Sequence, residues 1–547
     1  MSEESHPRPG RERLADRFRT DVPDADTVAL VDRLRADLEA ARFDVEAIEA
    51  FWDRGVAAAG THPGAALARG HRVPAARALA KAAAPDRTLA TLVGFLLLGL
   101  PVSADDLAGA LPALGVAGAE QLGLGASDAD GRVRPLLDLR PYAFADAHGE
   151  GQWWIASDPG ELALGGELPE DHVLGVGGAS TTLSRLLLQR PARRTLDLGT
   201  GSGIQALHAA RFSDRVVATD LSARALAIAR FTALLNRIDD IEFRAGSLYE
   251  PVRGERFDRI VSNPPFVITP RVDGVPSYEY RDGGLVGDGI VEAVVRGAAE
   301  HLEAGGIAQF LANWEYRARP GEDPVDGLDR VAGWAVASGL EYWIVEREQL
   351  DPSEYAETWI RDGGTRQGTP AFEALHDAWL DDFAARGVTA IGFGYVLLRR
   401  PASGFPATPA RAERRHGASG ENPGGLGMHL DAVLEASDLV DALDDDALRG
   451  LALEVAPDVT EERHHWPGQE QPTAILLRQG GGFGRVIDAG TALAALVGAA
   501  DGTLPAGVLS DAIADLLDAD PAALWAELAG EVRALVHDGL LRPAAAG

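Results

Sequence analysis

Two stretches have residue types and spacings that could do chemistry. The first, Thr195 to Gly203, reads T-L-D-L-G-T-G-S-G. A short apolar strand there runs into a turn whose Gly199, Gly201 and Gly203 let the backbone bend tightly and approach a ligand closely. A nucleotide-like group is expected against such a turn. The second stretch, Ile260 to Phe266, reads I-V-S-N-P-P-F and continues the apolar run begun at Phe257-Asp258-Arg259. Pro264 and Pro265 remove backbone donors and fix φ, so a strand stops there at a shaped corner that presents Asn263 and Phe266.

A glycine triplet alone says little, because glycine turns occur wherever strands meet helices. The order of the elements around this one says more. Ile204 to Phe212 reads as a helix, and Val216 to Asp220 as an apolar strand ending in an acid about twenty residues past the glycines, the spacing of a carboxylate that holds a ribose diol. Ser222 can cap a helix running to about Asn236. Ile241 to Ala245 and Arg259 to Ser262 follow as strands, then a helix over Ile290 to Leu302 that ends at Gly305-Gly306. Ile307 to Ala312, Glu341 to Val345 and Ala390 to Leu398 complete a set of seven strands, with a helix over Val331 to Ser338. This alternation predicts an α/β fold with a doubly wound parallel sheet.

The two motifs in this order resemble a class I S-adenosylmethionine-dependent methyltransferase, with a seven-stranded Rossmann-like core. The Asn263-Pro264-Pro265-Phe266 corner resembles the subgroup that methylates planar nitrogens: the HemK/PrmC protein-glutamine enzymes and the RsmC-like, TrmN-like and DNA adenine enzymes. The likeness covers roughly Val173 to Pro401. Tyr278-Glu279-Tyr280-Arg281-Asp282-Gly283-Gly284, followed by Gly287-Asp288-Gly289, is similar to the segment after the motif in the HemK/PrmC branch. Gly246-Ser247 departs from the pattern, in which an acid or amide commonly follows the glycine to meet the adenine amine.

The resemblance implies S-adenosylmethionine as cofactor and assigns roles. The turn of Gly199, Thr200, Gly201 and Gly203 faces the methionine end of the donor, Asp220 takes the ribose hydroxyls, and Leu221 and Leu248 flank the adenine, with Ser247 beside it. Two readings stand for Asp197: it orients the donor's amino group, or it orders the loop as a cap. Methyl transfer from a sulfonium is an in-line displacement, so orientation and exclusion of water are the protein's main tasks. An amide or base nitrogen is a poor nucleophile because its lone pair is delocalised. If Asn263 Oδ1 and the Pro264 carbonyl each accept an N–H, the nitrogen is steered towards tetrahedral geometry and its developing charge is stabilised. Pro265 and Phe266 then border the acceptor, with the Phe266 ring as a flat face. The implied partner is a protein with a target glutamine, or RNA. A third possibility, from another class, is a binding protein that keeps the fold without the reaction.

A net charge of −32 repels phosphates and so disfavours RNA. Arg399, Arg400, Arg411, Arg414 and Arg415 run against this, with Glu413 as the single acid among them; they form either a solvated basic linker or a phosphate-binding strip. With no cysteine there is neither disulfide nor thiolate metal site, and no metal is expected. His464-His465 would point to opposite faces of a strand. Met1 to Leu14 lacks the apolar core of a signal peptide, and the apolar run Leu92 to Leu100 is too short to span a bilayer, so no membrane association and a cytoplasmic location are expected.

At 547 residues the chain suits about three domains of ~150 residues. Residues 1–23 read as a polar, disordered N-terminus and 24–165 as a helical, winged-helix-like domain. In the latter, Thr88 to Leu98 is an apolar helix, Ser103 caps a second, and Arg132 to Tyr142 and Gln152 to Ser157 are strands joined by a turn. Residues 171–401 hold the methyltransferase-like core, entered through Gly175, Gly177 and Gly178, which suit either a gate or a plain connector. Residues 402–427 read as a linker and 428–547 as a mainly helical, winged-helix-like domain. Leu89 to Gly94 (L-A-T-L-V-G) echoes Leu493 to Gly498 (L-A-A-L-V-G), by repeat or by composition.

Overall fold

The computed structural model describes residues 11–20, 22–164, 168–272, 274–276, 278, 281–319, 321–402 and 410–544. Its centre is a sheet in the order Ala410–Arg414, Glu341–Leu350, Val388–Arg399, Leu302–Arg317, Phe257–Ser262, Ala192–Leu198, Ser213–Asp220, Ile241–Ala245. The last four strands and Leu302–Arg317 run parallel, as the alternation of strand and helix requires. Val388–Arg399 is antiparallel to both its neighbours, so the sheet is mixed, not wholly parallel. It also has eight strands where seven were expected.

The eighth strand corrects the linker expectation. Ala410–Arg414 lies inside 402–427 yet pairs parallel with Tyr342 to Glu346. The arginines expected as a solvated or phosphate-binding strip each meet a partner within the protein. Arg399 is held by Glu341 and by Asp438 at 2.7 Å, Arg411 by Asp538 at 2.5 Å, Arg415 by Glu413 at 2.9 Å, and Arg414 by Asp326. Arg400 donates to the Leu302 carbonyl at 2.8 Å.

The N-terminal unit is fused to the core. Among the described residues of 1–23, Arg11–Arg17 is a helix and not disordered; residues 1–10 and 21 lie outside the described set. Leu14 and Phe18 are buried, and Phe18 meets Phe231 edge-on at 5.5 Å. Phe231 belongs to the Ala223–Leu235 helix, which packs into the N-terminal core through Ile228 and Leu235 as well. Burying each such side chain contributes about 1.5–3 kcal/mol. Arg35 caps that helix from outside, donating to the Leu234 and Leu235 carbonyls at 2.7 Å each, where a cation also meets the negative end of the helix dipole.

The expected wing strands are placed differently. Arg132–Pro135 joins a small sheet with Val102–Ser103 and Gly125–Ser127, while Asp138–Asp146 pairs with Gly149–Ser157 as a separate hairpin. That hairpin covers the core: Trp153 and Ile155 pack with Ile204 and Leu207, and Tyr142 Oη bonds His208 Nε2 at 3.0 Å.

The C-terminal unit is less helical than expected, with two three-stranded sheets beside its helices. One of these echoes the N-terminal unit. Helix Thr491–Ala499, strand Asp501–Pro505, helices Ala506–Leu517 and Pro521–His537, and strand Leu541–Pro543 follow one another. The N-terminal order is the same: helix Arg87–Leu92 continued by Val93–Leu97, strand Val102–Ser103, helices Ala104–Ala110 and Gly115–Gln121, strand Gly125–Ser127. In each case a third strand lies between the other two, Arg132–Pro135 from later in the chain and Ala452–Val455 from earlier. The short sequence echo at Leu89 and Leu493 sits at the start of both sets.

Candidate functional site

Three parallel strands end level with one another: Leu198 pairs with Thr219 on one side and Ser262 on the other. Their carboxyl ends open on a cavity of about 300 Å³. Such a crevice beyond the strand ends is where open α/β sheets bind ligands. Ser262 Oγ donates to the Leu198 carbonyl at 2.7 Å and locks the two motif-bearing strands together.

The glycine turn needs its glycines for separate reasons. Gly199, Gly201 and Gly203 have φ of 77°, 55° and 92°, which other residues reach only with strain. A Cβ on Gly199 or Gly201 would meet open space, whereas one on Gly203 would lie 3.1 Å from Ala229 Cβ. The first two shape the turn; the third also lets two helices pack. Gly199 and Thr200 donate to the Thr219 carbonyl at 2.9 Å each, which draws the turn onto the neighbouring strand.

Of the residues expected at the site, Gly199, Thr200, Gly201, Asp220, Leu221, Ser247, Leu248, Asn263, Pro264 and Pro265 line this cavity. Gly203 lies behind the turn. Asp197 is fully buried beneath it and accepts from Thr200 Oγ1 at 2.6 Å, the contact of a loop-ordering carboxylate. Phe266 does not reach the cavity, which corrects its expected role as the flat face beside the acceptor. It is buried against Phe393 at 5.6 Å, because the chain bends back after Pro265 and pairs Phe266 with Asp282.

Two acceptor atoms of cavity-lining residues are buried without a hydrogen-bond partner: Gln205 Oε1 and Asn263 Oδ1. Leaving such groups unmet costs roughly 1–3 kcal/mol each. Their number in one place fits a ligand that brings N–H groups, as the amino group of S-adenosylmethionine and an amide or amine acceptor would. Burial pushes the Asp197 carboxyl up to about 7, against the Thr200 hydrogen bond. Burial also raises Asp220, although the N–H groups of Gly201 and Ser222 pull the other way.

Several cavity residues were not singled out from the sequence. Asp282 lines it while accepting from Thr269 Oγ1 and from Tyr278 N at 2.6 Å. The flagged segment around it is the signal that pointed there; its Glu279 and Tyr280 lie outside the described residues. Gly283, Gly284 and Gln205 also line the cavity, and the His172–Gly175 strap roofs it ahead of the Gly178–Leu186 helix. Among the described lining residues the ionisable side chains are Asp220, Asp282 and His172, with no arginine or lysine. Among the described residues no helix is long and apolar enough to cross a membrane.

Comparison with known proteins agrees with this geometry. Residues 175–321 match the methyltransferase small domain, and residues 40–136 match a domain of unknown function, DUF7059. A release factor glutamine methyltransferase of Xylella fastidiosa is 39% identical over 149 residues, covering 25% of this chain and 54% of that protein. A ribosomal protein uL3 glutamine methyltransferase of Bradyrhizobium diazoefficiens is 34% identical over 153 residues, 26% of this chain and 46% of that one. A ribosomal RNA small subunit methyltransferase C of Erwinia tasmaniensis is 31% identical over 182 residues, 32% of this chain and 46% of that one. The chain spans about half the length of the curated relatives it matches. Residues 175–321 thus match the methyltransferase small domain and resemble the HemK/PrmC and RsmC methyltransferases.

Proposed function

We propose that the whole chain is an N-methyltransferase that moves the methyl group of S-adenosylmethionine onto the side-chain amide of a glutamine in a protein. The observation that carries the reading is the unpartnered, buried Oδ1 of Asn263 at the corner beside the donor cavity. An acceptor held there in advance suits a nitrogen that arrives with an N–H to donate. The Pro264 carbonyl is the second acceptor in this reading, and together they hold the amide in line with the donor's methyl group.

In this proposal Asp220 takes the ribose hydroxyls, Leu221, Ser247 and Leu248 border the adenine, and the Gly199–Gly203 turn faces the methionine end. Asp197 stands under the turn and orders it through Thr200, which places the turn's backbone for the donor's amino group. No general base is needed before transfer, since the nitrogen can lose its proton afterwards. The donor supplies the electrophilic methyl; the protein aligns the two partners and keeps water out.

A protein acceptor is favoured over a nucleobase by charge. A cavity whose described lining carries two aspartates and no arginine or lysine, on a chain of net charge −32, repels a phosphate backbone. The exocyclic amine of a base in RNA or DNA is the second reading, favoured by the ribosomal RNA methyltransferase among the relatives. The corner would hold a base amine in the same way.

Labelled methyl from S-adenosylmethionine, incubated with a lysate of the source organism and then split between ribonuclease and protease, separates the two. Label that survives ribonuclease in a discrete protein band supports the glutamine reading. Label lost with ribonuclease transfers the assignment to a base. Equal labelling by Asn263→Ala defeats the catalytic assignment.

A further inference from the structure

The roof of the cavity is held in part by a residue distant from it in the chain. Asp158 follows directly on the Gly149–Ser157 strand of the hairpin. Its N–H donates to the Val173 carbonyl at 3.0 Å, and its Oδ2 accepts the Val173 N–H at 3.0 Å. The same carboxylate receives Arg224 Nε on both oxygens, at 3.1 and 3.0 Å, and Arg224 Nη2 as well. Arg224 sits in the first turn of the Ala223–Leu235 helix, between Ser222 and Ala225, which both line the cavity.

Asp158 is therefore a three-way junction. It joins the hairpin that precedes the methyltransferase domain, the strap that roofs the cavity, and the helix whose start borders the donor. Only 4% of its surface is exposed. A carboxylate that deep is costly unless paired, so the Arg224 bond fixes where it stands, and it in turn fixes Val173. The strap lies tight at this point: a Cβ on Gly175 would come within 2.9 Å of Ser157 Oγ. Asp158 itself is outside the cavity lining and can act on a ligand only through the strap.

We infer that Asp158 is a positioning residue for the methyl donor: paired with Arg224, it holds Val173 and the His172–Gly175 strap closed over the glycine turn. The inference rests on the reading of the cavity as the donor site. It assigns the hairpin a part in donor retention, although the hairpin lies outside the matched methyltransferase segment.

The test measures S-adenosylhomocysteine affinity by calorimetry, and hydrogen exchange over residues 172–175, in the wild type, Asp158→Asn and Asp158→Glu. Asparagine keeps an acceptor for Val173 but loses the charge that Arg224 fixes. It should weaken binding roughly tenfold and speed exchange over 172–175, with exchange at Thr195 to Leu198 unchanged. Glutamate restores the charge and should recover part of the affinity. A merely structural ion pair would lower resistance to denaturant while affinity and strap exchange stayed at wild-type values, and that result overturns the inference. Should Asp158→Asn fail to fold, Arg224→Met is read by the same two measurements, with the same outcomes. A wild-type protein that binds no S-adenosylhomocysteine refutes the donor-site reading, and the strap assignment falls with it.

Discussion

The carboxylate of Asp220 reaches across the cavity floor to the glycine turn, where Oδ2 takes the Gly201 N–H at 2.9 Å while Oδ1 takes the Ser222 N–H at 2.8 Å. One side chain thus braces the glycine turn and the helix start, where the proposed function puts the donor's methionine end and its ribose. Asp220→Asn replaces one of the two acceptors with an NH₂ that faces an N–H. Losing a charge-assisted hydrogen bond costs roughly 1.5–3 kcal/mol, so S-adenosylhomocysteine should bind about ten- to a hundredfold more weakly, with the fold retained by circular dichroism. Unchanged affinity by calorimetry would show that the ribose lies elsewhere.

Asn263→Ala separates binding from chemistry. The side chain stands at the acceptor corner, and its free Oδ1 is available to a substrate nitrogen whose charge grows during transfer. Removing a group of this kind commonly slows the chemical step by about a hundred- to a thousandfold. In the proposed function the donor rests mainly on the glycine turn and Asp220, so its affinity should stay within about threefold of wild type. A loss of donor affinity as large as the loss of rate would make Asn263 a donor ligand and remove it from the acceptor's side.

The cavity was legible in the sequence because its parts are local. A glycine turn, an acid at the next strand end and a double-proline corner each announce themselves within a few residues, and strand pairing then brings Leu198, Thr219 and Ser262 level. What escaped depends on distant partners. Ala410–Arg414 carries arginine and glutamate on a strand without an apolar face, and only its pairing with Tyr342 to Glu346 and the acids around it makes it one. Phe266 looked like a site residue from its place in the motif, but the Asp282 bridge turns its ring into the core beside Phe393. Val173 was visible as part of a glycine-rich approach, while the carboxylate that holds it comes from a hairpin whose register no local pattern gives.

Asp197 makes the stability of the unliganded protein depend on pH in an unusual direction. Its carboxyl is raised from 3.8 to about 7 by burial, so the folded protein keeps a proton that the unfolded chain has released. The stability it contributes is complete below about pH 4 and is lost as pH rises to about 7. The slope for one group is at most about 1.4 kcal/mol per pH unit. Asp197→Asn has no proton to lose and can still accept from Thr200. Denaturant melts at pH 5 and pH 7 should therefore show the variant gaining roughly 2–3 kcal/mol on wild type between them. A constant difference at the two values would mean that the buried carboxyl is ionised throughout.

The C-terminal unit is fastened to the sheet by a buried fork. Arg485, only 1% exposed, donates from Nη1 and Nη2 to the two oxygens of Glu413 at 2.8 and 2.7 Å, and Glu413 lies on the edge strand Ala410–Arg414. Removing one member of such a pair strands the other, and about 3 kcal/mol is the usual cost. Arg485→Met should lose less than that amount in denaturant unfolding, because the Glu413 carboxylate keeps Trp343 Nε1 and the flanking Arg411 and Arg415. Glu413→Gln should lose a comparable amount, because the buried guanidinium then keeps only Asp538, 3.3 Å from its Nε. The double variant should be more stable than the sum of the single losses predicts, since either single change already breaks the fork. Strict additivity would show that the fork contributes nothing and that apolar packing, such as Trp343 against Phe483 at 5.8 Å, holds the unit in place.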